Sequence, residues 1–330
     1  MDKTLNKNSI LKLVENNAIT IIMIIMVIVV GISKDNFISI SNFKNISVNT
    51  AVRFIIALGI SGCLITKGTD LSAGRIVGLG ACISAILLQK ADYGSKFFPN
   101  LGELPIPLVI LITVAVCCIF GILNGVIISF FKVPPFIMTL GMQTFVYGIT
   151  LVFTGADPIG GLRDDYTMVA RGTFLGIPYL FIIAFVFGLV FWLLYNMTKH
   201  GKYMYAVGGN ESAAEVSGVN TSKTKIIIYG LAAVLYGVAG YLLAAKAGGA
   251  SVNTGYGYEL EAIAACTIGG VSTNGGVGKI SGILIGVLVF ELLKSSLQFL
   301  GVETSYTYIV QGLVIVIAVA LDLRKYLAKK

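Results

Sequence analysis

Three segments of this chain gather polar residues at spacings that could do chemistry. The first is 201–220, GKYMYAVGGNESAAEVSGVN. Asn210 is a good helix N-cap, and Glu211 falls in the first turn, where a carboxylate favours the positive end of the dipole. Small residues Ala213, Ala214 and Ser217 follow, and Gly218 stops the helix. Preceded by the Gly208-Gly209 pair, this reads as a one-to-two-turn helix whose surface another protein can approach closely. Its chemistry would be recognition; the alternative is an ordinary loop between membrane helices.

The second segment is Lys67-Gly-Thr-Asp70-Leu-Ser72-Ala-Gly-Arg75. Asp70 can cap the following helix, while Ser72, Gly74 and Gly78 allow a neighbouring helix to pack closely. An isolated charge near a bilayer core costs at least ~2.5 kcal/mol, so Asp70 and Arg75 are expected to satisfy each other. The third segment runs from Glu261 to Lys279 and holds five glycines between Gly269 and Gly278, with Asn274 among them. At ~1 kcal/mol each relative to Ala, these glycines predict a helix break rather than a helix exposed to lipid. A phosphate-binding loop is excluded, since Thr273 stands where its first Gly belongs and Ile280 where Ser or Thr belongs. Gly74-Arg-Ile-Val-Gly78 is echoed by Gly278-Lys-Ile-Ser-Gly282, a hint of internal duplication.

Other polar residues lie singly in apolar runs: Arg53, Asn124, Gln143, Glu291, Lys294 and Gln311. Glu291 and Lys294, three apart, share a helix face and are expected to pair. No chain of acids or histidines suits a proton relay. His200 is the only histidine, and neither GxSxG nor HExxH occurs, so hydrolytic and zinc chemistry have little to stand on. All five cysteines sit in apolar runs as packing residues.

The elements that position these residues are set by composition. In 330 residues, 56% are hydrophobic and only 12% charged, with mean hydropathy +0.88. Soluble domains carry about 25% charged residues, so this is an all-α polytopic membrane protein. The net charge of +8 is spread over termini and short loops, which reads as topology rather than nucleic-acid binding. Ten spans are expected near 17–33, 50–66, 72–89, 105–131, 134–154, 177–197, 225–247, 258–271, 280–300 and 305–322. Helix breaks fall near 66–75 and 268–279. No cleavage pattern follows the apolar run 18–32, so it is read as a retained first span. Fifteen Lys and Arg fall on one side of this arrangement and eight on the other. That bias places both termini and the loop 198–224 in the cytoplasm.

With a docking helix, no ATP site and no ion relay, energy must come from a partner. The run Gly208-Gly-Asn-Glu-Ser-Ala-Ala-Glu-Val-Ser-Gly218 resembles the coupling-loop motif of the ribose/galactose-type ABC permease family. Residues 68–88, 262–282 and 320–330 resemble more narrowly its galactose/methyl-galactoside branch, and the similarity runs along essentially the whole chain. Nothing carries over to 155–176. The resemblance implies a single permease domain over 1–330 in the bacterial inner membrane, working as a homodimer. A cytoplasmic ABC ATPase would grip 208–218 and use the ATP, this chain binding no cofactor, and an extracytoplasmic binding protein would deliver a hexose. Asp70, Ser72, Arg75, Asn124, Glu261 and Asn274 are the candidates for the path or its gate. The alternatives are a branched-chain amino-acid permease, a self-sufficient secondary sugar carrier, and a membrane-embedded enzyme, the last lacking any cluster of His, Asp or Cys.

Overall fold

The computed structural model describes residues 18–327; Lys3, Lys7, Lys12, Lys329 and Lys330, which weigh in the orientation reading, lie outside them. Ten apolar helices fall at the ten expected positions: α1 (Ala18–Ser33), α2 (Ile40–Ile65), α3 (Ala73–Leu87), α4 (Ile106–Phe130), α5 (Pro135–Thr154), α7 (Tyr179–Met197), α10 (Thr221–Ala247), α11 (Tyr258–Ile268), α12 (Ile280–Phe299) and α13 (Thr304–Leu327). Three short polar helices join them: α6 (Asp164–Arg171), α8 (Lys199–Gly209) and α9 (Glu211–Val216).

Six of the ten, namely α2, α4, α5, α7, α10 and α12, are long and apolar enough to cross a membrane alone. The 15-residue α3 and 11-residue α11 are not. Both adjoin the breaks at 66–72 and 269–279, where glycines and polar residues forbid continued helix. Helix α2 begins ten residues before the expected span. Ser39 caps it, accepting a hydrogen bond from Asn42 N at 3.2 Å, and Asn42, Ile46 and Thr50 form a buried stripe at four-residue spacing. The polar faces of 40–49 hide this extension from a hydropathy reading.

Helices α2, α3 and α10 make the centre. α10 packs on α4, α3 and α2, while α2 also carries α7, α11 and α12. Within their apolar windows α2 is 83% buried and α10 72%, whereas α4, α5 and α7 are 22% buried and present their remaining faces outward. That is the division expected of helices inside and at the rim of a bundle in lipid. Small residues set the close crossings: a Cβ on Gly286 of α12 would lie 1.9 Å from Ala265 O of α11, and one on Gly121 of α4 would lie 2.4 Å from Tyr229 O of α10.

At one end the segment 155–178 folds over the bundle. Its β1 (Thr173–Phe174) and β2 (Ile177–Pro178) pair antiparallel around Leu175 and Gly176, both with positive φ, as a type I′ turn requires. Tyr166 of α6 is fully buried and donates to Tyr241 O at 2.6 Å, fixing this cap to α10. At the opposite end lie α8, α9 and the 269–279 loop.

Candidate functional site

Helix α8 leaves α7 through Thr198, whose hydroxyl accepts from Gly201 N at 3.1 Å. Asn210 caps α9 by accepting from Ala213 N at 3.0 Å, and Gly218 follows with φ of 85°. Gly209, Asn210, Ala213, Ser217 and Gly218 are exposed. Two of the expected docking residues are buried. Ala214 is 5% exposed, and Gly208 packs so tightly that a Cβ would lie 1.7 Å from Ile65 O at the end of α2. Glu211 turns to Lys225 of α10 at 2.7 Å, an ion pair as well as a first-turn acid. The most outward apolar side chain of the pair is Val216, 91% exposed, which the small-residue reading passed over.

Beneath α8 the glycine loop closes against the same surface. Gly276 N donates to Ile65 O at 2.8 Å, Tyr205 hydroxyl to Gly278 O at 2.8 Å, and Thr273 hydroxyl to Asp322 at 2.8 Å. Gly275 and Gly276 adopt positive φ and abut Gly208 and Gly209. Asn274 therefore sits under the docking pair, with its Nδ2 buried and without a partner among the described residues. Helix α8 is thus in direct contact with the turn between α11 and α12.

Asp70, Ser72 and Asn124 are brought together, all three fully buried. Asp70 Oδ1 accepts from Ser72 N at 3.0 Å and from Ser72 Oγ at 2.6 Å, and Asn124 Nδ2 donates to Ser72 Oγ at 3.0 Å. Thr139 of α5 accepts from Leu71 N at 3.1 Å and donates to Thr69 O at 3.0 Å. These side chains replace the helical hydrogen bonds lost at the break, as buried backbone demands. The expected Asp70–Arg75 pair does not form. Asp70 folds back on Ser72, while Arg75 donates to Val252 O at 2.9 Å and lies over the rings of Tyr147 at 4.0 Å and Tyr256 at 4.6 Å.

Glu261 belongs to a separate charged knot. It accepts from Arg53 at 3.1 Å and Lys294 at 2.6 Å, and Arg53 also meets Glu291 at 3.1 Å. The expected Glu291–Lys294 pair is thus replaced by longer-range pairs, because Arg53 of α2 enters between them and takes Glu291. Sequence reasoning also passed over Glu259, which is 3% exposed and receives Gln143 Nε2 at 3.4 Å. Its signal was an acid in the first turn after Gly257. No group of three metal-ligating side chains occurs among the described residues.

This bundle of apolar helices, broken twice and carrying a protruding helical pair, is that of a multi-pass membrane protein. The chain belongs to the family of branched-chain amino acid transport system permease components, matched over residues 42–319. It is a transporter component, not an enzyme. It is 41% identical to the galactose/methyl galactoside import permease protein MglC of Haemophilus influenzae and 42% identical to that of Escherichia coli K12, each over 99% of both chains. The ribose import permease protein RbsC of Bacillus subtilis is 38% identical over 92% of this chain and 91% of its own. No solved structure matches it.

Proposed function

We propose that this chain is the membrane subunit of an ATP-driven importer for galactose, methyl galactoside or a related monosaccharide. The observation that carries this reading is full-length identity of 41–42% to galactose/methyl galactoside import permeases. The branched-chain amino-acid alternative has the family's description behind it, but the relatives matched end to end import sugars.

The α8–α9 pair suits coupling to a separate ATPase that binds and hydrolyses the ATP. It is capped at both helix starts, anchored by Gly208 on α2 and by Lys225 on Glu211, and exposed at Ser212, Ala213, Glu215 and Val216. A rigid knob of this kind transmits displacement to the 269–279 turn instead of absorbing it. The opposite end, capped by 155–178, is where an extracytoplasmic binding protein would deliver the sugar, with both termini cytoplasmic in the inner membrane. A second copy completes the path, meeting α5 across the outward groove of about 920 Å3 lined by Gly141, Thr144 and Gly148.

Vesicles holding this chain, its ATPase and its binding protein should take up radiolabelled galactose in an ATP-dependent manner indifferent to a proton ionophore. Uptake by the chain alone that collapses with the ionophore would establish a secondary carrier instead.

A further inference from the structure

The polar residues around Arg75 lie neither in the charged knot of Arg53 nor in the locked network of Asp70. On α5, Thr139, Gln143 and Tyr147 follow one another at four-residue spacing and share a face. Thr139 holds the break, Gln143 reaches Glu259 and Tyr147 lies over Arg75. Tyr147 stands twelve residues from Pro135 and seven from Thr154, so about 18 and 10 Å from the ends of α5 at roughly 1.5 Å per residue. In a hydrocarbon layer ~30 Å thick, this cluster is near mid-depth.

The backbone beside it is irregular. Residues 251–257 descend from Ala250, bridged to Ile159 in the cap, to Val252 at Arg75 and Gly255 against Gly74. Asn253 and Tyr256 are exposed along this stretch, Tyr256 by 64%. Irregular backbone does not face lipid at this depth; it lines a water-filled path or is covered by protein. Glu259 closes the cluster from α11. Its Oε2 is buried with no partner among the described residues, and it rests on the bare backbone of Gly74, where a Cβ would lie 1.9 Å away.

We propose that Arg75, Tyr147, Tyr256, Gln143 and Glu259 form the station that a monosaccharide touches halfway across the membrane. This rests on the reading of the chain as a sugar importer. The chemistry suits a neutral, polyhydroxylated solute. One guanidinium and one carboxylate oppose each other, so the station does not select an ion. Their free donor and acceptor capacity matches vicinal hydroxyls. The Tyr256 ring offers the apolar C–H face of a pyranose a flat surface beside a polar edge. The long Gln143–Glu259 contact is weak enough to yield to a passing hydroxyl. Few contacts of this kind slow a solute without trapping it, as a path must.

The test is made on the complex with its ATPase and binding protein in proteoliposomes, reading galactose uptake and ATP hydrolysis together. Tyr256→Ala should lower uptake per ATP about tenfold, the scale of one lost stacking or charged contact, while Tyr256→Phe retains it. Glu259→Gln should change the ratio of galactose to ribose uptake, which a merely structural role would leave unmoved. A parent complex that imports and a Tyr256→Ala variant within about twofold of it overturn the station alone. A parent that imports no sugar overturns the functional reading, and the station with it. If Tyr256→Ala fails to assemble, Tyr256→Cys in a Cys118→Ser background decides: labelling by an impermeant maleimide, slowed during galactose turnover, supports the station, and absence of labelling sinks it.

Discussion

The Arg53 knot is the residue-scale feature on which three helices depend. Arg53 alone meets both Glu261 and Glu291, and Lys294 meets only Glu261. Removing one partner from a buried pair leaves an uncompensated charge, at a cost of about 3–5 kcal/mol. Arg53→Met should therefore lower the thermal unfolding midpoint of the purified protein clearly more than Lys294→Met, since Glu261 keeps Arg53 in the second case. Equal midpoints for the two variants would mean that the knot is not organised around Arg53. Outside the membrane, Arg163 holds the Asp165 carboxyl below its ordinary value through a hydrogen bond and its charge. A depressed folded-state pKa stabilises the protein above the unfolded value of about 3.8 and is lost as pH falls through the folded one. Asp165→Asn should thus match the parent below that window and be less stable at neutral pH, by only a few tenths of a kcal/mol at so exposed a pair. Melting curves from pH 2.5 to 7 check the sign.

At the scale of elements, the docking pair is best probed at Val216, its outward side chain. A bulky substitution at Ala214 acts on a buried site and would disturb α9 itself, through overpacking worth about 1–3 kcal/mol. Val216→Arg acts on the surface. It should weaken association with the ATPase about tenfold or more while leaving the melting temperature of the isolated permease unchanged, and titration of the purified subunits reads this directly. Normal affinity in Val216→Arg removes the docking role from that face. The same pair shows what was legible beforehand. Asn210 and Gly218 announce a helix start and stop through local backbone chemistry, so α9 could be placed from sequence. The burial of Gly208 depends on Ile65, a partner distant along the chain that no local pattern reveals. The two breaks were legible for the same local reason, in glycine and serine content, but the side chains that repair them, Thr139 and Asn124, come from other helices. Glu261 stood out inside an apolar run, whereas Glu259 could be recognised only once Gly74 and Gln143 were beside it.

For the whole molecule, the faces of the bundle differ in how well they tolerate lipid. Exposed Ile, Leu and Phe cover α1, α4 and α7, and lipid satisfies such surfaces without a partner. The face of α5 also exposes Phe145 and Val152, but among them Gly141 and Gly148 have no atoms within 4 Å of a notional Cβ, and the irregular segment 251–257 lies alongside with Asn253 and Tyr256 exposed. Small residues permit close backbone approach of another helix, and exposed irregular backbone needs cover other than lipid. Both demands are met at once if a second copy lays its own α5 across this groove, with the path enclosed between the two copies. Gly148→Cys, in a background with Cys118→Ser, should then cross-link to its symmetry mate in native membranes, because disulfides require Cα atoms within ~7 Å. Val190→Cys, on the exposed face of α7, should not. Cross-linking at α7 and none at α5 would move the interface to the other side of the bundle and leave the mid-depth station facing away from any path between copies.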